Sequence, residues 1–165
     1  MGLRRREITD LYASRYVGFR NALAMLTGSY ESAADVLQEA FAEALRQRRR
    51  FRGEGTPEGW IWSIAARIAL RERARDRREA VGSDGRVPEG EMAPSEPIHD
   101  PAVAEALRTL PERRRLITFL HYFADLSYEQ IAEICEVTPG TVAATLAQAR
   151  DALRAALEAN DEVRT

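Results

Sequence analysis

The most specific chemistry in this 165-residue chain lies between Leu126 and Val142. Ser127, followed three residues later by Gln130, has the spacing of a capping box and opens a short helix. Ile131, Ala132 and Cys135 are its inward positions, and Glu136-Val137 makes a tight turn. Thr138 caps a second helix, and Pro139 sits in its first turn, where a missing N–H costs nothing. Val142, Leu146, Ala149 and Leu153 form the packed face of that helix. Two helices joined by a turn of three or four residues, the second longer, make a helix-turn-helix, whose usual work is to present side chains to the major groove of DNA.

A second binding surface is suggested by arginines. All 24 basic residues are arginine, which grips phosphate and carboxylate through a planar fork. A GC-rich coding bias would produce the same usage without any function. Arg67, Arg71, Arg75 and Arg78 are spaced four, four and three apart and form one helical stripe, beside an acidic stripe of Glu72, Asp76 and Glu79. That pattern fits a phosphate-facing surface and equally a salt-bridged, solvated helix face. Trp60 and Trp62, two residues apart, point in different directions, so one is expected in the core and one near the basic loop, where an aromatic ring stacks on unpaired bases.

No pattern for bond-making chemistry accompanies these surfaces. There is no nucleophile–base pair, phosphate-binding loop or metal constellation, so neither an enzyme nor a bound cofactor is expected. One cysteine and two histidines exclude an internal disulfide and a histidine-rich or cysteine-rich metal site. Cys135 reads as a small buried hydrophobe. No apolar run reaches membrane-spanning length, and the arginine-rich N-terminus does not read as a secretory signal. A cytoplasmic protein without membrane insertion is expected.

The elements that must position these residues read as helices throughout. Residues 1–80 carry 16 arginines against 11 acids, whereas residues 81–165 carry 8 against 15. The net charge of −2 thus hides a basic front and an acidic back, as two modules with different electrostatic tasks would show. Between them, residues 80–101 are rich in glycine and proline and hold no apolar period, which predicts an exposed acidic linker. The front module, 1–79, has a helix from Ile8 to Leu26 stopped by Gly28, and a second from the Ser29/Ser32 caps to about Arg50. Ala33, Leu37, Ala40, Phe41 and Ala44 form the core stripe of the second, with Asp35, Gln38, Glu39 and Arg46 on its other faces. After the loop Arg52–Thr56, a third helix opens at Pro57 with Ile61, Ile64, Ala65 and Ile68 inward. The back module, 102–165, opens with helices over Ala102–Leu110 and Pro111–Ala124. The fold class is all-α, two small helical domains joined by a linker, the second containing the helix-turn-helix.

Two separated stretches, in order, resemble the extracytoplasmic-function sigma factors of bacterial RNA polymerase. Asp35–Leu45 is similar to the family's acidic, glutamine-containing helix, and Phe51-Arg52 through Pro57 with Trp60–Ala65 resembles its −10-recognition segment. Leu110–Arg114 through Arg150 is similar to its −35-reading domain. The resemblance implies a non-catalytic transcription initiation factor. Its partners would be core RNA polymerase, promoter DNA and an anti-sigma factor. It assigns polymerase docking to Asp35, Gln38 and Glu39, −10 contact to Arg52, Trp60, Trp62, Arg67 and Arg71, and a base pocket to Gly53–Thr56. For the −35 element it assigns Thr138, Thr141, Ala143, Thr145, Gln148 and Arg150, with Ala144 also outward.

The chain departs from that pattern in three places. Ala143 to Gln148 carry no charge where basic residues are usual, Glu136 stands in place of a turn glycine, and Arg71 replaces an acid. Few neutralised phosphates mean weak binding. Weak or atypical −35 readout is therefore expected. The alternative is a sigma-like interaction protein that binds polymerase or an anti-sigma factor while its second domain reads no DNA.

Overall fold

A computed structural model describes residues 2–80 and 101–163, and among them every regular element is a helix. The expected linker, 80–101, lies outside the described residues apart from its two end positions, which close one helix and open the next. The chain divides into two compact units, Met1–Pro94 and Ser95–Thr165.

Among its described residues, the first unit holds three α-helices. Helix α1 (Arg5–Thr27) ends because Gly28 takes a left-handed conformation, φ +84°, with its N–H bonded to the Ala24 carbonyl. A residue with a Cβ would be strained there. Ser29 then accepts a hydrogen bond from the Ser32 N–H and caps α2 (Tyr30–Gln47). Ser32 thus belongs to the first turn instead of being a second cap. The chain tightens into a 3₁₀ turn, Arg48–Arg50, before the loop. Thr56 Oγ1 accepts from the Gly59 N–H at 3.0 Å, starting α3 (Pro57–Ala80). Phe19, Leu23, Val36, Leu37 and Ile61 form the fully buried centre, and all five expected residues of the α2 stripe are buried. The inward set expected on α3, Ile61, Ile64, Ala65 and Ile68, is buried as well.

The second unit contains α4 (Pro101–Thr109), α5 (Glu112–Tyr122), α6 (Tyr128–Cys135) and α7 (Pro139–Val163). Helix α5 stops earlier than Ala124, since the Leu126 N–H turns back to the Leu120 carbonyl at 3.1 Å and buries Ala124 and Leu126. Ile117, Leu120, Ile131, Val142, Leu146 and Ala149 make the core. The capping box of α6 is complete: Gln130 N–H donates to Ser127 Oγ, and Ser127 N–H to Gln130 Oε1. The Thr141 N–H donates to Thr138 Oγ1 at 3.1 Å, capping α7. Between them Glu136 adopts φ +55°, ψ +48°, the left-handed turn conformation that glycine takes without strain. Cys135 is half-buried, and Ile134 takes the deeper position on that face. Burial pushes the Cys135 thiol up to about 11, so it is an unreactive thiol at neutral pH.

Candidate functional site

Helix α2 presents its acidic face to solvent. Asp35, Gln38 and Glu39 are all exposed, while Val36, Leu37 and Ala40 beneath them are buried. This follows from helical geometry, since positions one residue from the core stripe turn roughly 100° away from it. The face does not stand alone. Arg71 Nη2 on α3 lies 3.6 Å from Glu39 Oε1, so the proposed docking surface meets the basic stripe of α3. Glu72 joins this edge, and its carboxyl is held above the usual range, first by desolvation and then by the nearby charge of Glu39.

That shift has a measurable consequence. Between the unfolded and folded pKa values, the folded unit holds a proton on Glu72 that the unfolded chain has released. Stability therefore falls as pH rises through that window, and the penalty is complete above the folded value. Glu72→Gln is expected to raise the melting temperature slightly at about pH 7 and to leave it unchanged near about pH 3, where both states are protonated. Equal gains at the two pH values in thermal melts would show that charge is not the cause.

At the other end of α3, the loop at 52–56 is exposed throughout, and Gly53 and Gly55 take positive φ, +81° and +79°. Trp60 stands half-exposed at its base, its ring 5.7 Å from that of buried Phe51. Arg52, Arg67 and Arg71 are exposed. The −10 assignment of Trp62 is corrected. Its indole is 3% exposed and stacks on Phe19, ring centroids 4.1 Å apart and 16° from parallel. An indole shared between α1 and α3 in this way has no face left for a base. The tryptophan available for stacking is Trp60.

On α7, Thr138, Thr141 and Gln148 are exposed, and Ala143 and Thr145 are half-buried. The recognition candidates divide between two flanks. With a turn every 3.6 residues, Thr141, Thr145 and Gln148 share one edge, while Ala143 and Arg150 fall on the other. The hydroxyls of Tyr122 foremost, and also of Tyr128, hold the pKa of Arg150 above the usual arginine value.

The cations that the first three turns of α7 lack arrive from α5. Arg114 Nη2 donates to Gln148 Oε1 at 2.9 Å. Arg113 Nη2 donates to the Cys135 carbonyl at 3.3 Å, at the end of α6. Arg115 Nη1 donates to the Arg108 carbonyl at 3.3 Å, near the end of α4. Two of these three arginines thus meet carbonyls at helix C-termini, where cations are favoured, and the third reaches the recognition helix. None was among the expected site residues. The available signal was a run of three arginines, 113–115, in an otherwise acidic half.

Comparison with known proteins now bears on these surfaces. Residues 11–79 match the family Sigma-70 region 2, and residues 101–153 match Sigma-70, region 4. Over 154 residues the chain is 30% identical to the RNA polymerase sigma factor YlaC of Bacillus subtilis (strain 168), covering 88% of this chain and 89% of that protein. Over 162 residues it is 33% identical to the ECF RNA polymerase sigma-E factor of Haemophilus influenzae, covering 86% and 83%. The chain belongs to the extracytoplasmic-function sigma factors.

This sigma factor also shares its fold with a solved relative. The sigma factor RpoE in complex with the anti-sigma factor NepR from Bartonella quintana matches with a TM-score of 0.73 at 23% identity, covering 93% of this chain and 98% of that one. The matched families place region 2 on the unit that carries Asp35, Trp60 and Arg71, and region 4 on the unit that carries the helix-turn-helix. Among the described residues, no helix of this sigma factor is long and apolar enough to cross a membrane.

Proposed function

We propose that this sigma factor docks on core RNA polymerase through Asp35, Gln38 and Glu39 and contacts the −10 element with Arg52, Trp60, Arg67 and Arg71. Its second unit reads the −35 element with the polar edge of α7, Thr138, Thr141, Thr145 and Gln148, and with Ala143 and Arg150 on the other flank of the helix. The observation that carries this reading is the doubly capped helix-turn-helix, which leaves that edge facing solvent above a closed core. Such a geometry is suited to entry of α7 into a major groove.

The protein contributes recognition, and the polymerase it recruits makes the phosphodiester bonds. No catalytic group of its own and no cofactor enters this role. It acts in the cytoplasm, where polymerase and chromosome are. An anti-sigma factor is a further partner, as the complex of the solved Bartonella relative suggests. Few cations lie along α7 itself, so −35 binding is weak and its salt dependence shallow.

The test is reconstituted transcription with core polymerase and a genomic fragment library, with and without the protein. Transcripts that start at a shared pair of sequence elements only when the protein is present are expected. Polymerase binding without any new start sites would instead identify a sigma-like interaction protein.

A further inference from the structure

The Arg114–Gln148 hydrogen bond joins residues 34 positions apart in sequence at the exposed edge of the recognition helix. A guanidinium carries only donors, so the Gln148 atom it meets must be the carbonyl oxygen. That contact orients the amide. With Oε1 engaged by Arg114, the group Gln148 offers to a groove is its Nε2 amino group, which donates. A free glutamine reads adenine by accepting from N6 while donating to N7. Here Arg114 takes one of the two lone pairs on that oxygen and holds the oxygen on its own side, which leaves the amino group foremost. Guanine presents two acceptors, N7 and O6, at the same edge. The Gln148 amino group, together with the remaining N–H groups of Arg114, forms a donor-rich surface that matches the two acceptors of guanine better than the acceptor and donor of adenine.

We propose that Arg114 is a specificity-positioning residue of the −35 reader: through its hydrogen bond to Gln148 Oε1 it sets the amide to donate, and makes one position of the element prefer guanine over adenine. This rests on the reading of the second unit as a DNA reader and deepens it. The arrangement explains how a recognition helix with no cation in its first three turns reads sequence. Its cation comes from α5, and it acts on the side chain of α7 that faces the DNA.

The experiment uses the full-length protein with core polymerase and a promoter library randomised across the −35 element, with transcripts sequenced. Four proteins are compared: the unmodified chain, Arg114→Met, Arg114→Lys and Gln148→Ala. The unmodified protein is expected to enrich guanine at one position. Arg114→Met keeps the stem and removes the donors, so that position should shift toward adenine by about tenfold in relative preference, the order that one bidentate base contact carries. Arg114→Lys retains a donor and should keep the guanine preference. Gln148→Ala should flatten the same position and no other. Uniformly weaker transcription from all library members with Arg114→Met, the guanine preference intact, would overturn the proposal, because Arg114 would then be a phosphate contact only. Protein-dependent transcription without enrichment at any −35 position would overturn it too, while leaving recruitment by the first unit standing. Absence of protein-dependent transcription altogether would instead remove the function on which it rests.

Discussion

Trp62→Ala is expected to unfold the first unit at temperatures where the unmodified chain is stable. The side chain is 3% exposed and stacked on Phe19, and truncating a large buried aromatic to alanine costs about 3–5 kcal/mol. That is a large part of the total stability of an ordinary small domain. Trp60→Ala gives the contrasting result. Its ring is half-exposed beside Phe51, so the melting temperature should move little, while promoter opening should suffer through loss of a stacking contact of about 1–3 kcal/mol. Circular-dichroism melts and permanganate footprinting of the opened promoter check the pair. If Trp60→Ala lowers the melting temperature as much as Trp62→Ala does, Trp60 is a core residue and the stacking role is wrong. If both variants open promoters normally at a temperature where both are folded, neither indole meets a base.

The second large effect concerns polymerase. Reversing two charges on the exposed face of α2, Asp35→Arg with Glu39→Arg, should weaken binding to core polymerase by roughly tenfold or more, as like charges brought together across an interface are strongly unfavourable. The melting temperature should stay nearly unchanged. Two local effects oppose each other there: Glu39 loses its 3.6 Å pairing with Arg71, an exposed pair of little worth, while Glu72 loses two carboxylates that hold its pKa up. Binding measured by fluorescence anisotropy against labelled core enzyme decides the matter. Undiminished affinity in a folded double variant would move the docking surface elsewhere on the unit. The bridge to Arg71 adds a refinement: Arg71→Ala should disturb both polymerase binding and −10 contact, whereas Arg52→Ala should disturb only the latter.

Much of this protein is written in segments of four residues or fewer. Gly28 after an apolar helix, Ser29 and Thr56 ahead of α2 and α3, the Ser127/Gln130 box and Thr138-Pro139 each act on their immediate neighbours, so their effect is independent of the rest of the fold. The same is true of the stripe from Ala33 to Ala44, where helical period alone separates the buried from the exposed face. From these local signals follow an all-helical chain, a helix-turn-helix and the exposure of Asp35, Gln38 and Glu39. What stayed hidden depends on residues far apart in the chain. Period shows that Trp60 and Trp62 point differently, yet only the packing of α1 against α3 decides that Phe19 claims Trp62. The charge count of α7 suggested a reader without a cation in its first three turns, and packing of α5 beside it brings Arg114 to Gln148 across 34 residues. The spacing of Arg71 left open a phosphate contact or a salt bridge, and the approach of α2 supplies Glu39. In each case the sequence by itself determined which side chain is offered and on which face of its helix. Only the tertiary structure decided which partner meets it, because that depends on how neighbouring helices pack.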